Sequence, residues 1–285
     1  MSLPGTSRIP VPTVMLFLVV ALLLRSSLQT SLVTRGADPS VAADLSYVVV
    51  PPLVALFLSP LLHNRLDWVM QLFRFQGITL AAILHAITIG FLLRIAEWSQ
   101  LIAGIALGFY LDPTARSQPQ PSFAFDCPDS TYLLLALLVT VILMPLVEEF
   151  INRGLIQSSL EYRGAVIAIP VAAALFAICH RSGSWPMTFL GGIVLGVLFW
   201  KTRSLWLSLI THATVNALIL LDWRCLHGQW NPPVSSLPLW KLALPSLAAF
   251  VLAVAGIVYV LHKKIPGSMV LPGTERVTER LRPVR

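Results

Sequence analysis

Thr131-Tyr-Leu-Leu-Leu-Ala-Leu-Leu-Val-Thr-Val-Ile-Leu-Met-Pro-Leu-Val-Glu-Glu-Phe-Ile-Asn-Arg-Gly154 is the stretch on which the reading of this chain turns. Its apolar part, to Val147, leads without a break into two adjacent carboxylates, Glu148 and Glu149, and then Arg153. An ionisable side chain at membrane depth costs roughly 2.5–3.5 kcal/mol on insertion scales and faces a bundle interior or a wet cavity. Two later apolar segments carry a histidine each, Phe176-Ala-Ile-Cys-His180 and His212-Ala-Thr-Val-Asn216. A single polar residue at depth is explained by local packing. A set spread over three segments calls for a shared site.

The composition supports a membrane setting. The 285 residues are 56% hydrophobic and 12% charged, with mean hydropathy +0.79, against roughly a quarter charged in soluble domains. The apolar runs are near the length that crosses about 30 Å of hydrocarbon as helix. The expected fold class is therefore an all-α, polytopic transmembrane helix bundle of about eight or nine helices, one integral membrane domain over 1–262 with a basic tail over 263–285. The net charge of +7 is scattered through loops and gathered in that tail. This pattern sets topology or meets anionic headgroups, so the lipid bilayer is the expected partner and nucleic acid is not. Cys127, Cys179 and Cys225 form no C-x-x-C pair; Cys179 reads as packed within its run, and a Cys127–Cys225 disulfide stays open.

Working outward, the candidate spans are Val11–Leu24, Ser46–Leu62, Gly77–Leu93, Ile95–Leu111, Thr131–Val147, Gly164–Cys179, Met187–Trp200, Leu205–Leu221 and Leu242–Leu261. The first resembles a signal-peptide core in length, but no small-residue cleavage site follows, so a retained helix extending past Arg25 is preferred. Pro51-Pro52 implies a kink, and 112–130 and 222–241 read as loops. With nine spans, the tail's side holds twelve basic residues and the other side seven, Arg153 left uncounted; the positive-inside rule then puts the C-terminus in the cytoplasm. Trp68, Trp98, Trp223 and Trp240 read as interfacial anchors, and Gly191, Gly192 and Gly196 as a small-residue face for close helix packing. His85 reads as a packed or hydrogen-bonded residue.

Helical spacing decides what the polar set can do. Glu149 and Arg153, four apart, share a face and pair with the acid N-terminal. Glu148 lies about 100° round the helix and points elsewhere, which makes it the better general base for a water molecule. His212 and Asn216 also share a face, and two such donors converging on a cavity can hold an oxyanion. His180, four after Phe176, can share a water with Glu148.

The pattern E-E-x-x-x-R-G, then F-x-x-x-H, then H-x-x-x-N resembles the CAAX-protease and bacteriocin-processing family of glutamic-type intramembrane endopeptidases. The segment Phe189-Leu-Gly-Gly-Ile-Val-Leu-Gly196 and Thr202-Arg-Ser-Leu-Trp206 is similar to that family's lead into its third motif. The family core would span about 131–221. The resemblance implies that Glu148, assisted by His180, activates water, that Glu149 with Arg153 sets the site's electrostatics, and that His212 and Asn216 stabilise the oxyanion. Phe176 and Arg153 are supports; no metal is implied, although two histidines and two glutamates leave zinc as an alternative. The expected partner is a membrane protein or lipid-anchored peptide substrate, and the expected site is the bacterial inner membrane. A catalytically silent binding or immunity protein, or a proton-coupled transporter, would use the same residue types.

Overall fold

The computed structural model describes residues 9–63, 65–74, 78–111, 132–180, 184–220 and 239–263. Among them nine helices follow one another and no strand occurs: α1 Val11–Thr34, α2 Pro39–His63, α3 Leu66–Leu72, α4 Leu80–Leu111, α5 Leu133–Arg163, α6 Ala165–Ile178, α7 Trp185–Thr202, α8 Leu205–Leu220 and α9 Leu239–His262. Six of these (α1, α2, α4, α5, α7 and α9) are long and apolar enough to cross a bilayer, and α6 and α8 are shorter apolar helices. The chain is thus an all-α, multi-pass integral membrane protein, as its sequence led us to expect.

The boundaries differ from the expectation in instructive places. Gly77–Leu93 and Ile95–Leu111 are not two spans: Leu80 to Leu111 is one helix of 32 residues. Arg94, the apparent break, pairs with Glu97 at 2.7 Å and lies 5.1 Å from the Trp98 ring centroid. Partners one turn away neutralise the charge, so the helix continues through it. At the start of α2, Asp38 accepts backbone N–H bonds from Ser40 at 2.8 Å and Val41 at 3.2 Å, and Pro39 takes the first helical position. This N-cap moves the start ahead of the expected Ser46. The Ser40 hydroxyl and those two amides hold the Asp38 carboxyl below the usual carboxylate range.

Two apolar clusters meet along α7. One joins Trp68 and Leu72 of α3, Leu155 and Ile156 of α5, Ala172 of α6, and Phe199 of α7. Trp68 is therefore a buried core residue and not an interfacial anchor, because α3 folds back under α5. The other joins Ala82, Ala86, Ile89 and Leu93 of α4 with Val194 and Leu198 of α7, Leu207 of α8 and Ile257 of α9. Helix approach is set by missing Cβ atoms. A methyl on Gly90 would lie 2.7 Å from the Thr211 carbonyl of α8, and one on Gly192 would lie 2.8 Å from the Ala173 Cβ of α6. Gly196 is equally enclosed, whereas Gly191 faces nothing within 4 Å, so only two of the three expected glycines make the packing face. His85 donates through Nδ1 to the Ala81 carbonyl of its own helix at 2.6 Å. Cys127, Cys225, Trp223, the side chain of Trp240, the 112–130 loop and the tail beyond Lys263 lie outside the described residues.

Candidate active site

The backbone of α5 is irregular where the acids sit. It runs α-helical over Leu133–Leu137, π-helical over Leu138–Leu143, α-helical over Met144–Glu149 and π-helical again over Phe150–Gln157. Pro145 explains the first widening. Its ring would crowd the carbonyl four residues back, and it has no N–H to give. The Met144 N–H bonds the Val139 carbonyl, and the next amide along the helix would be that of Pro145. In this register the residue that would donate to the Thr140 carbonyl is Pro145, which has no N–H. Asn216 of α8 supplies one, its Nδ2–H reaching Thr140 O at 2.8 Å. The proline was the sequence signal for this contact, and the motif spacing alone did not find it.

Just before the second widened turn the acids meet α8. Glu149 is 1% exposed and Arg153 0%, and Arg153 Nε lies 3.2 Å from Glu149 Oε2. The other Glu149 oxygen accepts from His212 Nδ1 at 3.0 Å. Because a carboxylate only accepts, Nδ1 carries the hydrogen and Nε2 is left facing Glu148 Oε2 at 3.7 Å. Arg153, Glu149, His212 and Glu148 thus form one chain of polar contacts through the protein. Phe176 of α6 is its apolar wall: the Arg153 guanidinium stands 5.5 Å and the His212 ring 6.0 Å from its ring centroid. A buried pair of this kind is expensive to break, because removal of one partner strands the other's charge.

Glu148 differs from Glu149 in what it faces. It lines a cavity of about 500 Å³ together with His180, Asn152, Phe176 and Cys179 on one side and residues of α1, α2 and α3 on the other. His180 lies just past the end of α6 and is held in place from several directions. Its Nδ1–H donates to the Phe176 carbonyl at 2.8 Å, its backbone N–H bonds Ala177 O at 2.9 Å, and its carbonyl accepts the Trp185 indole N–H at 2.9 Å. With Nδ1 committed as a donor, Nε2 carries the lone pair. Asn152, which the sequence reading passed over, holds the Glu148 carbonyl through Nδ2 at 2.8 Å and also lines the cavity. Cys179 is exposed at the cavity edge and not packed within its helix, because α6 ends at Ile178.

The site residues thus fall into two layers. Glu148, His180, Asn152 and Phe176 line the cavity. His212 and Asn216 point from α8 onto α5, where His212 meets both carboxylates and Asn216 the Thr140 carbonyl; neither is among the residues lining the cavity. Among the described residues no three His, Cys, Asp or Glu side chains are grouped as a metal site requires.

Residues 130–218 match the family model described as type II CAAX prenyl endopeptidase Rce1-like. No curated protein and no solved structure matches the chain. The matched segment contains Glu148, Glu149, Arg153, Phe176, His180, His212 and Asn216, and all the polar contacts traced between them. Through this segment the chain is similar to the CAAX-type prenyl endopeptidases.

Proposed function

We propose that this protein is an intramembrane endopeptidase of the glutamic type, with Glu148 as the general base. The observation that carries the reading is that Glu148 faces a cavity shared with His180 while its back is held, through His212, to the buried Glu149–Arg153 pair. A water between Glu148 and the free Nε2 of His180 gives its proton to the carboxylate as its oxygen adds to the scissile carbonyl carbon. The C–N bond breaks as that proton passes to the leaving nitrogen, giving a carboxylate and an amine. A second proton, on Nε2, makes His212 an imidazolium, and that N–H beside Glu148 is the donor this reading assigns to the developing oxyanion. Asn216 acts as a positioning residue, through the Thr140 carbonyl and the shape of α5.

The substrate is a membrane-associated protein or lipid-anchored peptide, unwound where it meets the cavity. The reading keeps the cytoplasmic C-terminus expected from the sequence, with the N-terminus now on the same side. If α1, α2 and α4–α9 each cross once, Arg8, Arg65, Arg74, Arg163, Lys201 and Arg203 join the six basic residues of the tail, against Arg35, Arg116, Arg181, Arg224 and Lys241. By the positive-inside rule this charge bias supports both termini in the cytoplasm, with a bacterial inner membrane as the proposed site. The test is N-terminal sequencing of products from purified protein and a prenylated peptide. A product formed by the native chain and absent with Glu148→Gln supports the reading. Unchanged cleavage in that variant, or chelator inactivation reversed by Zn²⁺, would refute it.

A further inference from the structure

Along α1 and α2 the cavity wall is apolar except at Arg25 and Tyr47. Arg25 stands about two and a half turns from the nearer end of α1, within the apolar span. Its guanidinium carbon lies 4.0 Å from the Tyr47 ring centroid, which seats the group without neutralising it. The other arginines at depth have acids of their own, Arg94 with Glu97 and Arg153 with Glu149, and among the described residues no ion pair includes Arg25. The one carboxylate lining the same cavity, Glu148, is beside His212. A cation held at this depth is matched to an anion that arrives with the ligand. A guanidinium fits a planar carboxylate through two parallel hydrogen bonds.

We propose that Arg25, seated on Tyr47, binds the free α-carboxylate at the C-terminus of the peptide that Glu148 cleaves. The inference rests on the peptidase reading and narrows its substrates. Because Arg25 and Glu148 line one cavity of about 500 Å³, only a short segment separates the bound terminus from the scissile bond. The enzyme then trims chain ends and does not cut precursors at internal sites. A lipid phosphate would satisfy Arg25 equally by charge, but resident lipid would occupy the space in front of Glu148, whereas a substrate terminus brings the peptide to it.

The test uses the full-length protein in phosphatidylcholine nanodiscs, with a fluorescent prenylated peptide ending in a free carboxylate and its C-terminal carboxamide twin, binding read by anisotropy. The native protein should prefer the carboxylate by about tenfold or more. Arg25→Gln should bring the carboxylate down to the carboxamide level and leave carboxamide binding unchanged, and Arg25→Lys, which keeps charge without the fork, should fall between. Equal binding of the two peptides by the native protein, or equal weakening of both by Arg25→Gln, would overturn the proposal. So would loss of the preference when phosphatidylglycerol is added, which would assign Arg25 to a lipid headgroup. Should Arg25→Gln fail to insert, Arg25→Lys decides the question by the same ratio. Glu148→Gln separates the two readings: it should keep the carboxylate preference while cleaving neither peptide, and cleavage that survives it would count against the base without touching the role of Arg25.

Discussion

The α4–α9 pair and α5 solve the same solvent problem in opposite ways. In lipid every backbone N–H and C=O must find a partner inside the protein. α4 does so by unbroken regularity over 32 residues. Its buried face is Ala82, Ala86, Ile89 and Leu93, and a Cβ on Gly256 of α9 would sit 3.2 Å from Leu92. α5 abandons regularity twice and buries Glu149, Arg153 and Gln157 in and beside its second widened turn. Other helices supply two of its polar partners: Asn216 donates to Thr140 O, and the Gly196 carbonyl accepts from Gln157 Nε2. α4 closes its own backbone ladder; the irregular helix is tolerable only because it is surrounded. Gly90 and Thr211, whose Oγ1 donates to Ala86 O at 3.0 Å, fix α8 against α4, and so the plain scaffold positions the helix that repairs the irregular one.

The contrast can be broken most severely at the cavity face. Glu148→Gln should lower peptide cleavage by about 10²–10⁴-fold with the helical circular dichroism and melting of the native protein retained. A parallel loss of fold would mean that Glu148 belongs with the buried layer. Next in size is Arg153→Met, which strands the Glu149 charge and should destabilise by about 3–5 kcal/mol in reversible unfolding. Adding Glu149→Gln should restore much of that, and a negligible effect of Arg153→Met would remove the ion pair from the account of α5. Asn216→Ala uncovers the Thr140 carbonyl and should cost about 1–3 kcal/mol. The same substitution in a Pro145→Ala background, where residue 145 can donate again, should cost clearly less. Smallest is a pair of neighbours on α7: Gly192→Ala should destabilise, its new methyl pressing on Ala173, while Gly191→Ala, facing open space, should be neutral or gain up to about 1 kcal/mol from helix propensity. Equal responses of the two glycines would refute the packing assigned to α6 and α7.

Where the sequence spoke plainly, it spoke through periodicity and cost. The apolar runs named the helices, and the four-residue spacing of Glu149 and Arg153 predicted a contact that the structure contains at 3.2 Å. Spacing was silent on geometry between helices. It put His212 and Asn216 on one face of α8, which is right in that both meet α5, but it did not reveal that they meet carboxylates and a carbonyl and not the cavity. Arg94 misled because a charge in an apolar run looks like an end unless its partner at Glu97 is counted. Asn152 escaped notice because an amide next to two acids carries no distinguishing pattern until the helix shows where its side chain turns.

The bond from Asn216 to Thr140 has a consequence for descent. A hydrogen missing from one helix because residue 145 is a proline has been supplied by another, so two positions far apart in the chain answer for a single atom. Lineages that exchange the proline would relax selection on the amide, and lineages that lose the amide would be pressed to give up the proline. These two sites should therefore be inherited as a unit, independently of the acids and imidazoles that surround them.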